Sequence, residues 1–183
     1  MQPNKIILDL CGGTGSWARP YQEAGYDVKI IDPIVNGQDA RLFEYNSPVH
    51  GILAAPPCTE FASSGARWWA KKGEGALLEA LSIVDACLRI ILVHRPTWWA
   101  LENPVGRLRR FLGSPTLIFN PCDYGDPYTK RTLLWGDFNL PNRTPVKPTE
   151  GSKMWKLGQS KSRWQLRSQT PAGFAKAFYE ANP

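Results

Sequence analysis

The fold class is decided near the start of the chain, where Lys5-Ile6-Ile7-Leu8-Asp9-Leu10 leads into Cys11-Gly12-Gly13-Thr14-Gly15. The first run is apolar and predicts a β-strand, and residues 16–24 have the pattern of a helix. A glycine turn between a strand and a helix is the context of a nucleotide-binding loop. The reason is that glycine lets the backbone approach a ligand closely while the helix start offers free N–H groups. Glycines also form ordinary turns, so a ligand here needs support from other residues.

Beyond this unit, short apolar runs continue to alternate with helical patterns. Strands are predicted at 27–31, 50–54, 98–101, 117–119 and 131–135, and helices at 75–94, 106–111 and 171–182. This alternation predicts an α/β fold with a doubly wound, mainly parallel sheet. Ligands of such sheets bind beyond the carboxyl ends of the strands. Because Asp9, Asp32, Cys58 and Glu102 all lie at or just after predicted strand ends, we expect them to share one cleft.

The positive charge of the chain is concentrated in one late stretch. The 183 residues carry a formal net charge of +6, and residues 143–167 hold seven basic residues against the single acid Glu150, which also gives +6. The bases are Arg143, Lys147, Lys153, Lys156, Lys161, Arg163 and Arg167. A local field of this kind favours a polyanion such as nucleic acid, although a solvated basic loop has the same composition.

Composition narrows the class of protein further. With 43% hydrophobic and 21% charged residues, the chain is predicted to be one soluble domain. Its four cysteines (Cys11, Cys58, Cys87 and Cys122) form no CxxC pair, so no metal site is expected. No signal pattern or membrane-length apolar run is present, so we expect no membrane partner. The expected setting is a bacterial or phage-infected cytoplasm, and the expected state is a monomer or weak dimer.

Two aspartates extend the predicted nucleotide site. Asp32 ends the second strand, about twenty residues after the glycine turn, where a carboxylate can accept both hydroxyls of a ribose. The alternative is a surface turn before Pro33. Asp39 precedes an expected helix start at 40–43 and could cap it or receive an adenine amino group. No Gly-Lys-Ser/Thr pattern is present, which excludes ATP hydrolysis of the Walker type.

One cysteine has surroundings unlike those of a buried structural thiol. Cys58 follows Pro56-Pro57 and opens a loop of small and polar residues, 59–65. The prolines restrict the backbone and can direct the thiol outward. Arg67, Lys71 and Lys72 follow in the sequence, and their charge would favour both a thiolate and a phosphate.

These segments resemble a known enzyme family. The Asp-x-x-x-Gly-x-Gly spacing is similar to the S-adenosylmethionine loop of class I methyltransferases, whose fold is Rossmann-like. Ala55-Pro56-Pro57-Cys58, followed by Phe61 and Gly65, resembles the catalytic loop of DNA cytosine carbon-5 methyltransferases. Leu101-Glu102-Asn103 is similar to that family's Glu-Asn segment. Residues 120–135 resemble its next motif, and Arg167, Thr170 and Pro171 a remnant of a later one.

The resemblance implies a mechanism on a cytosine flipped out of DNA. Cys58 would attack ring carbon 6, and Glu102 would hold a proton at ring nitrogen 3. Carbon 5 would then take the methyl group of S-adenosylmethionine, leaving S-adenosylhomocysteine. Glu102 has to carry a proton for this role, so a pKa raised by burial is expected. A salt bridge of Glu102 with Arg107 or Arg109 is the alternative.

The resemblance also assigns roles to individual residues. The predicted catalytic residues are Cys58, Glu102, Lys130 and Arg131. The predicted cofactor-binding residues are Asp9, Leu10, Cys11, Gly12, Gly13, Thr14, Gly15, Trp17, Asp32, Pro33, Asp39, Ala40 and Pro56. The predicted substrate or DNA contacts are Pro57, Ser64, Arg67, Asn103, Lys153, Lys156, Lys161 and Arg163.

The chain departs from the family pattern at several positions. Tyr128-Thr129-Lys130-Arg131 replaces a Gln-x-Arg-x-Arg pattern, and we favour Lys130 over Arg131 for contact with the base. Pro104 follows the Glu-Asn pair, and Cys11 takes the place of an aromatic residue that the family packs near the cofactor. Only about thirty residues separate Gly136 from Arg167, which leaves no room for a full target-recognition domain.

We therefore expect a catalytic core at 1–136, a basic arm containing Trp155 and Trp164 at 137–167, and a closing helix at 168–183. Specificity should be short or relaxed, with a preference for deformable or single-stranded sites. Two alternatives remain open from the residues alone. One is the same chemistry on RNA or free cytidine nucleotides, and the other is a catalytically inactive DNA-binding relic.

Overall fold

The computed structural model describes residues 5–152 and 169–183 and contains six strands and four α-helices in those ranges. The strands are β1 (Ile6–Leu10), β2 (Asp27–Ile31), β3 (Gly51–Ala54), β4 (Trp98–Pro104), β5 (Leu117–Phe119) and β6 (Thr132–Asp137). The helices are α1 (Arg19–Glu23), α2 (Trp69–His94), α3 (Arg109–Leu112) and α4 (Ala172–Ala181). Two short 3₁₀ helices cover Ser63–Trp68 and Pro121–Asp123.

All six strands form one sheet in the order β2-β1-β3-β4-β6-β5. The pairs β1–β2, β1–β3 and β3–β4 are parallel, whereas β6 runs antiparallel to both β4 and β5. The predicted α/β fold with a mainly parallel, Rossmann-like sheet is confirmed. The reversed direction of β6 was not predicted.

Hydrophobic cores lie on both faces of the sheet, which makes it doubly wound. Successive strand residues point to opposite faces, so Leu8 packs with α2 while its neighbour Ile7 packs with α1 and α4. Phe174 and Phe178 of α4 are fully buried. Burial of a side chain of this size contributes about 1.5–3 kcal/mol, so the last helix is part of the core.

The helices begin at other residues than the sequence predicted. α1 begins at Arg19 and has Pro20 in its first turn, a position that suits proline because its missing N–H needs no partner there. α2 begins at Trp69, earlier than predicted, and is interrupted at Gly73, whose φ of 76° is a backbone conformation open mainly to glycine. The expected helix at residues 40–43 is a turn.

The later strands and the start of the arm also differ from the prediction. β4 continues to Pro104 because Pro104 pairs with Thr132 of β6. Residues 139–152 contain no helix or strand, but they do not leave the body of the protein. Backbone N–H groups of Thr144, Val146 and Glu150 donate to carbonyls within 122–127, and the N–H of Thr129 donates to Gly151 O at 2.8 Å. The division at 136 and 167 into core, arm and closing helix stays a prediction.

Candidate active site

The strand register brings the predicted site residues to one edge of the sheet. Leu10 of β1 lies opposite both Ile31 and Ala54, and Ala54 lies opposite Leu101 of β4. Cys11, Asp32 and Ala55 therefore leave the sheet at this edge, beside Glu102, which is still within β4 and lies opposite Leu134 of β6. β6 is antiparallel, so it begins at this same edge, and the preceding Lys130 and Arg131 lie there too.

Asp9 is the most constrained carboxylate of this edge. Its side chain is 1% exposed, and neither carboxylate oxygen has a hydrogen-bond partner among the described residues. Burial, and secondarily the negative charge of Asp32, raises the pKa of Asp9 to about 7. Gly12 passes so close that an added Cβ would lie 2.3 Å from Asp9 Oδ2. Only glycine fits there, and the turn covers a buried carboxylate that still needs a polar partner.

Asp32 is held in place by backbone N–H groups. Its Oδ2 accepts from Gly13 N at 3.1 Å, and its Oδ1 accepts from Ile34 N at 2.8 Å and Val35 N at 3.2 Å. These bonds tie the end of β2 to the glycine turn. Each carboxylate oxygen accepts two hydrogen bonds, so Oδ2 keeps capacity for one ligand donor. Pro33 is exposed beside it.

The other residues of the glycine turn divide between core and surface. Cys11 has a φ of 57°, and its thiol lies against Cys87 of α2. The hydrogen bond with Cys87, followed by burial, raises the pKa of the Cys11 thiol. Leu10 and Ala40 are buried in the α2 core, and Thr14 is exposed.

Trp17 was predicted to contact the cofactor as one of the residues that the family resemblance assigns to that role. The structure places its ring in the opposite core, with its centroid 5.5 Å from that of Phe178. Its exposed fraction is 2%, and its indole nitrogen has no partner within the described part of the chain. A contact between Trp17 and a cofactor stays a prediction.

Asp39 lies next to Arg41 and interacts mainly with it. Its Oδ1 accepts from Arg41 N at 2.9 Å and from Arg41 Nε at 3.0 Å. These hydrogen bonds lower the pKa of the Asp39 carboxyl. The guanidinium of Arg41 also contacts Glu79 of α2, which fixes this turn to the body. In the structure Asp39 therefore stabilises the turn at residues 40–42, and its predicted contact with adenine stays a prediction.

The Pro-Pro-Cys turn exposes its cysteine. Pro56 is buried, whereas Pro57 and Cys58 are exposed. The carbonyl of Cys58 accepts hydrogen bonds from Phe61 N at 2.9 Å and Ala62 N at 2.8 Å, which closes a tight turn. The backbone around the thiol is therefore fixed while its side chain faces outward.

This turn is bonded directly to the Glu-Asn end of β4. Asn103 is fully buried, and its Nδ2 donates to Pro56 O at 3.0 Å. Further along, Ser63 N donates to Val105 O, and an added Cβ at Gly106 would lie 1.8 Å from Phe61 O. The sequence predicted Asn103 as a substrate contact, and its observed bond positions the cysteine turn.

An ion-pair cluster reinforces the same junction. Glu60 Oε1 accepts from Lys72 Nζ at 2.6 Å, and Glu60 Oε2 lies 3.9 Å from Arg107 Nη2. The guanidinium of Arg107 also lies over the ring of Trp69, 4.4 Å from its centroid. Within the described residues, Arg107 therefore interacts with Glu60 and Trp69, and not with Glu102 as in the alternative salt bridge considered from the sequence. The sequence analysis missed this cluster, because nothing local links Glu60 to a residue almost fifty positions later.

Glu102 and Lys130 interact electrostatically across the β4–β6 pair. Glu102 is partly accessible at the edge, yet desolvation raises the pKa of its carboxyl, as expected. The positive charge of Lys130 opposes that effect. Lys130 is half-buried and its Nζ also donates to Gln169 O at 3.4 Å, whereas Arg131 is exposed. The field at Glu102 thus favours Lys130 over Arg131 as the cation of the site.

The predicted DNA contacts fall into two groups. Pro57, Ser64 and Arg67 are exposed on the cysteine turn and the 3₁₀ helix that follows it. The second group, Lys153, Lys156, Lys161 and Arg163, lies outside the described residues, as do Trp155, Trp164 and Arg167.

A cleft of about 750 Å³ lies elsewhere, between α1, α4 and residues 126–128. Arg19, Glu23, Tyr128 and Lys176 line it, and none of the predicted catalytic residues does. In residues 5–152 and 169–183, no group of three or more histidine, cysteine or acidic side chains is arranged to hold a metal ion. No helix in the same ranges is long and apolar enough to cross a membrane.

Neither protein-family models nor curated protein sequences match this chain. Among solved structures, it is similar to the crystal structure of a "putative DNA modification methyltransferase" encoded within a prophage (E. coli). The sequence identity is 18%, the TM-score is 0.49, and the match covers 86% of this chain. It covers 49% of the other chain, so the present chain spans about half the length of that protein. A similarity this distant transfers neither an activity nor a substrate, and both have to come from the geometry of the site.

Proposed function

We propose that this chain transfers a methyl group from S-adenosylmethionine to carbon 5 of cytosine in DNA. The observation that best supports this proposal is the hydrogen bond from Asn103 Nδ2 to Pro56 O, which joins the cysteine turn to the end of β4. This bond attaches the turn that carries the exposed Cys58 to β4, whose Glu102 carboxyl has a raised pKa. A nucleophile and a proton donor are the two groups that addition to a pyrimidine ring requires.

The glycine-turn side of the edge fits the cofactor. The Asp9 carboxylate has no hydrogen-bond partner among the described residues, Gly12 leaves space above it, and Asp32 has remaining acceptor capacity. Together these features suit a cationic nucleoside. We expect Asp9, Asp32 and the backbone of Gly13 and Gly15 to hold S-adenosylmethionine. When bound, this cofactor supplies an electrophilic methyl group.

The residues of the chain would act on the cytosine in successive steps. The Cys58 thiolate forms a bond to ring carbon 6 while Glu102 donates its proton to ring nitrogen 3, so carbon 5 becomes nucleophilic. Carbon 5 would accept the methyl group as the bond from the methyl carbon to the sulfonium sulfur breaks, with S-adenosylhomocysteine as the leaving group, and would later lose its proton to a base. The bond between sulfur and carbon 6 then breaks, nitrogen 3 returns its proton to Glu102, and the thiolate leaves.

Glu102 and Lys130 have complementary tasks in this scheme. Glu102 is useful only when protonated, and its desolvated carboxyl holds the proton to higher pH than a solvated one. Lys130 lowers the pKa of Glu102 and so eases release of the proton to the ring. Lys130 would also contact the base directly, with Arg131 closer to the solvent and the backbone of the nucleic acid.

A polymer substrate is favoured by charge. The chain carries a net charge of +6, and Arg67 and Arg131 are exposed on both sides of the proposed cleft. Lysine and arginine side chains neutralise phosphates, which gives affinity with little reading of sequence. We therefore propose DNA as substrate, with relaxed sequence preference.

The test is nucleoside mass spectrometry after incubation with S-adenosylmethionine. Double-stranded DNA, single-stranded DNA, RNA and cytidine nucleotides are compared under the same conditions, with wild-type protein, Cys58→Ala and the control Cys122→Ala. We expect 5-methylcytosine in DNA from wild type and Cys122→Ala, and none from Cys58→Ala.

A second readout follows the covalent step alone. An oligonucleotide containing 5-fluorocytosine cannot lose a proton from carbon 5, so the adduct with Cys58 should persist and appear by intact-protein mass spectrometry. Methylation confined to RNA or nucleotides would replace DNA as the substrate. Cofactor binding without any product would overturn the proposed activity, and absence of both would favour the inactive DNA-binding relic.

A further inference from the structure

One tryptophan next to the cysteine turn is exposed to solvent. Trp68 ends the 3₁₀ helix Ser63–Trp68 and is 48% exposed. By contrast, Trp17, Trp98 and Trp135 are each 5% exposed or less. An indole ring in water forgoes much of the burial that usually keeps this side chain inside, so its exposure suggests a binding role.

Two cations lie close to this ring. The guanidinium carbon of Arg67 is 5.2 Å from its centroid, and Lys71 Nζ is 6.0 Å away. Across residues 5–152 and 169–183, no acidic side chain forms an ion pair with Arg67 or Lys71, and Glu60 pairs with Lys72 and Arg107. The patch therefore combines a flat aromatic surface with positive charge, which is complementary to a stacked base and its phosphates.

The patch is fixed to the proposed nucleophile. The N–H of Ala62 donates to the carbonyl of Cys58, and Ser63 N donates to Val105 O at 2.9 Å. The 3₁₀ helix then folds back on the turn, since an added Cβ at Gly65 would lie 3.5 Å from Thr59 O. Trp68 thus has a defined position relative to any cytosine that Cys58 attacks.

We propose that Trp68 is a stacking platform for an unpaired base flanking the target cytosine, with Arg67 and Lys71 contacting the adjoining phosphates. This inference rests on the proposed function, because it takes the target to be a cytosine in a DNA strand. Stacking on an aromatic face accepts any base, since every base has a π-face. This contact should therefore increase the affinity for a strand whose bases are already unpaired, because a fully paired duplex has to melt before one of its bases can stack on Trp68.

The test is a positional scan of binding. Fluorescently labelled single-stranded oligonucleotides contain one cytosine, and each flanking base in turn is replaced by an abasic residue. Affinity is measured by anisotropy for wild type, Trp68→Phe, Trp68→Ala and the control Leu92→Ala, a change of an exposed apolar residue elsewhere on α2. All proteins are first checked for native circular dichroism.

For wild type and Leu92→Ala, one abasic position should weaken binding about 5- to 150-fold, the range of a lost base–aromatic stack. Trp68→Ala should bind the intact oligonucleotide more weakly by the same factor and be insensitive to that abasic position. Trp68→Phe should lie between the two. Arg67→Ala should weaken binding at every position alike and reduce the salt dependence, as expected for a phosphate contact.

Equal affinity of Trp68→Ala and wild type for the intact strand would overturn the stacking role. So would a Trp68→Ala protein that keeps the wild-type sensitivity to the abasic position. Methylation assays on the same proteins separate this result from the proposed activity. Active wild type with no effect of Trp68 refutes only the stacking, whereas a Trp68-dependent scan without any methylation refutes only the methyl transfer.

Discussion

Replacement of Asp9 by asparagine should stabilise the ligand-free protein, and the gain should increase with pH. Asp9 is buried without a described hydrogen-bond partner for its carboxylate, so ionisation of this group in the folded protein is costly. Folding holds the proton on Asp9 up to a pKa of about 7, whereas the unfolded chain releases it near 3.8. Between these values the folded state binds the additional proton, and stability therefore falls as pH rises.

The magnitude follows from the same two pKa values. The difference between about 7 and 3.8 corresponds to about 4 kcal/mol at about 1.4 kcal/mol per pH unit. This cost is absent below the unfolded pKa and complete above the folded pKa. Asparagine has the same shape and no charge, so Asp9→Asn should remove the pH-dependent cost. Between pH 5 and pH 8.5 the advantage of the variant should grow by about 3 kcal/mol.

The assay is urea unfolding of wild type and Asp9→Asn at both pH values, without cofactor. Asp85→Asn, at an exposed position of α2, controls for the loss of one negative charge from the chain. Equal advantages of Asp9→Asn at pH 5 and pH 8.5 would refute the reasoning, because Asp9 would then titrate alike in the folded and unfolded states. A constant loss of stability would show that the carboxyl makes a hydrogen bond that asparagine cannot replace.

The same variant connects stability with binding. S-adenosylmethionine is cationic, so an ionised Asp9 is a better partner for it than a protonated one. Its affinity for wild type should fall below pH 7, by up to about tenfold per pH unit, and calorimetry should detect proton release on binding. Asp9→Asn should bind weakly at every pH. Binding to wild type that is independent of pH would place the cofactor away from this carboxylate.

Two further predictions concern Glu102 and its neighbours. Lys130→Met should raise the pKa of Glu102, because a neighbouring positive charge is removed, and should therefore move the alkaline limb of the single-turnover pH–rate profile to higher pH. Arg131→Met should leave this limb in place, and an unchanged limb in Lys130→Met would show that Lys130 does not act on Glu102. Asn103→Ala should lower the free energy of unfolding by about 1–3 kcal/mol, because the buried carbonyl of Pro56 loses its donor. It should also slow methyl transfer roughly 100-fold, because the cysteine turn is misplaced. Cofactor affinity measured by calorimetry should stay near that of wild type.

The edge of the sheet could be predicted from the sequence because its determinants are local. An apolar run followed by a charged, polar or small residue marks the end of a buried strand, as at Leu10, Ile31 and Ala54, whereas β4 continues past Leu101 to Pro104. Parallel strands then bring those ends together whatever the detailed register. The sequence predicted that Asp9, Asp32, Cys58 and Glu102 share one cleft, and this stays a prediction.

Contacts between distant segments could not be predicted in this way. The thiol of Cys11 lies against Cys87, which is 76 positions later. Arg107 pairs with Glu60, which lies in a loop that the sequence analysis identified only by its small and polar residues. The direction of β6 was equally hidden, because an apolar run has the same composition in either direction. The packing of Trp17 against α4 could not be predicted either, because it depends on a helix more than 150 residues away.

The anchoring of the chain on both sides of the stretch 152–168 has a consequence for protein engineering. Gly151 O is held by Thr129 N at 2.8 Å, and Gln169 O is held by Lys130 Nζ at 3.4 Å, so the two attachment points lie on neighbouring residues. Any peptide inserted between them closes a loop whose ends are already together. Each doubling of its length adds only about 0.6 kcal/mol of closure entropy. Peptides of different length can therefore be inserted between Gly151 and Gln169 while the sheet edge with Cys58 and Glu102 stays intact.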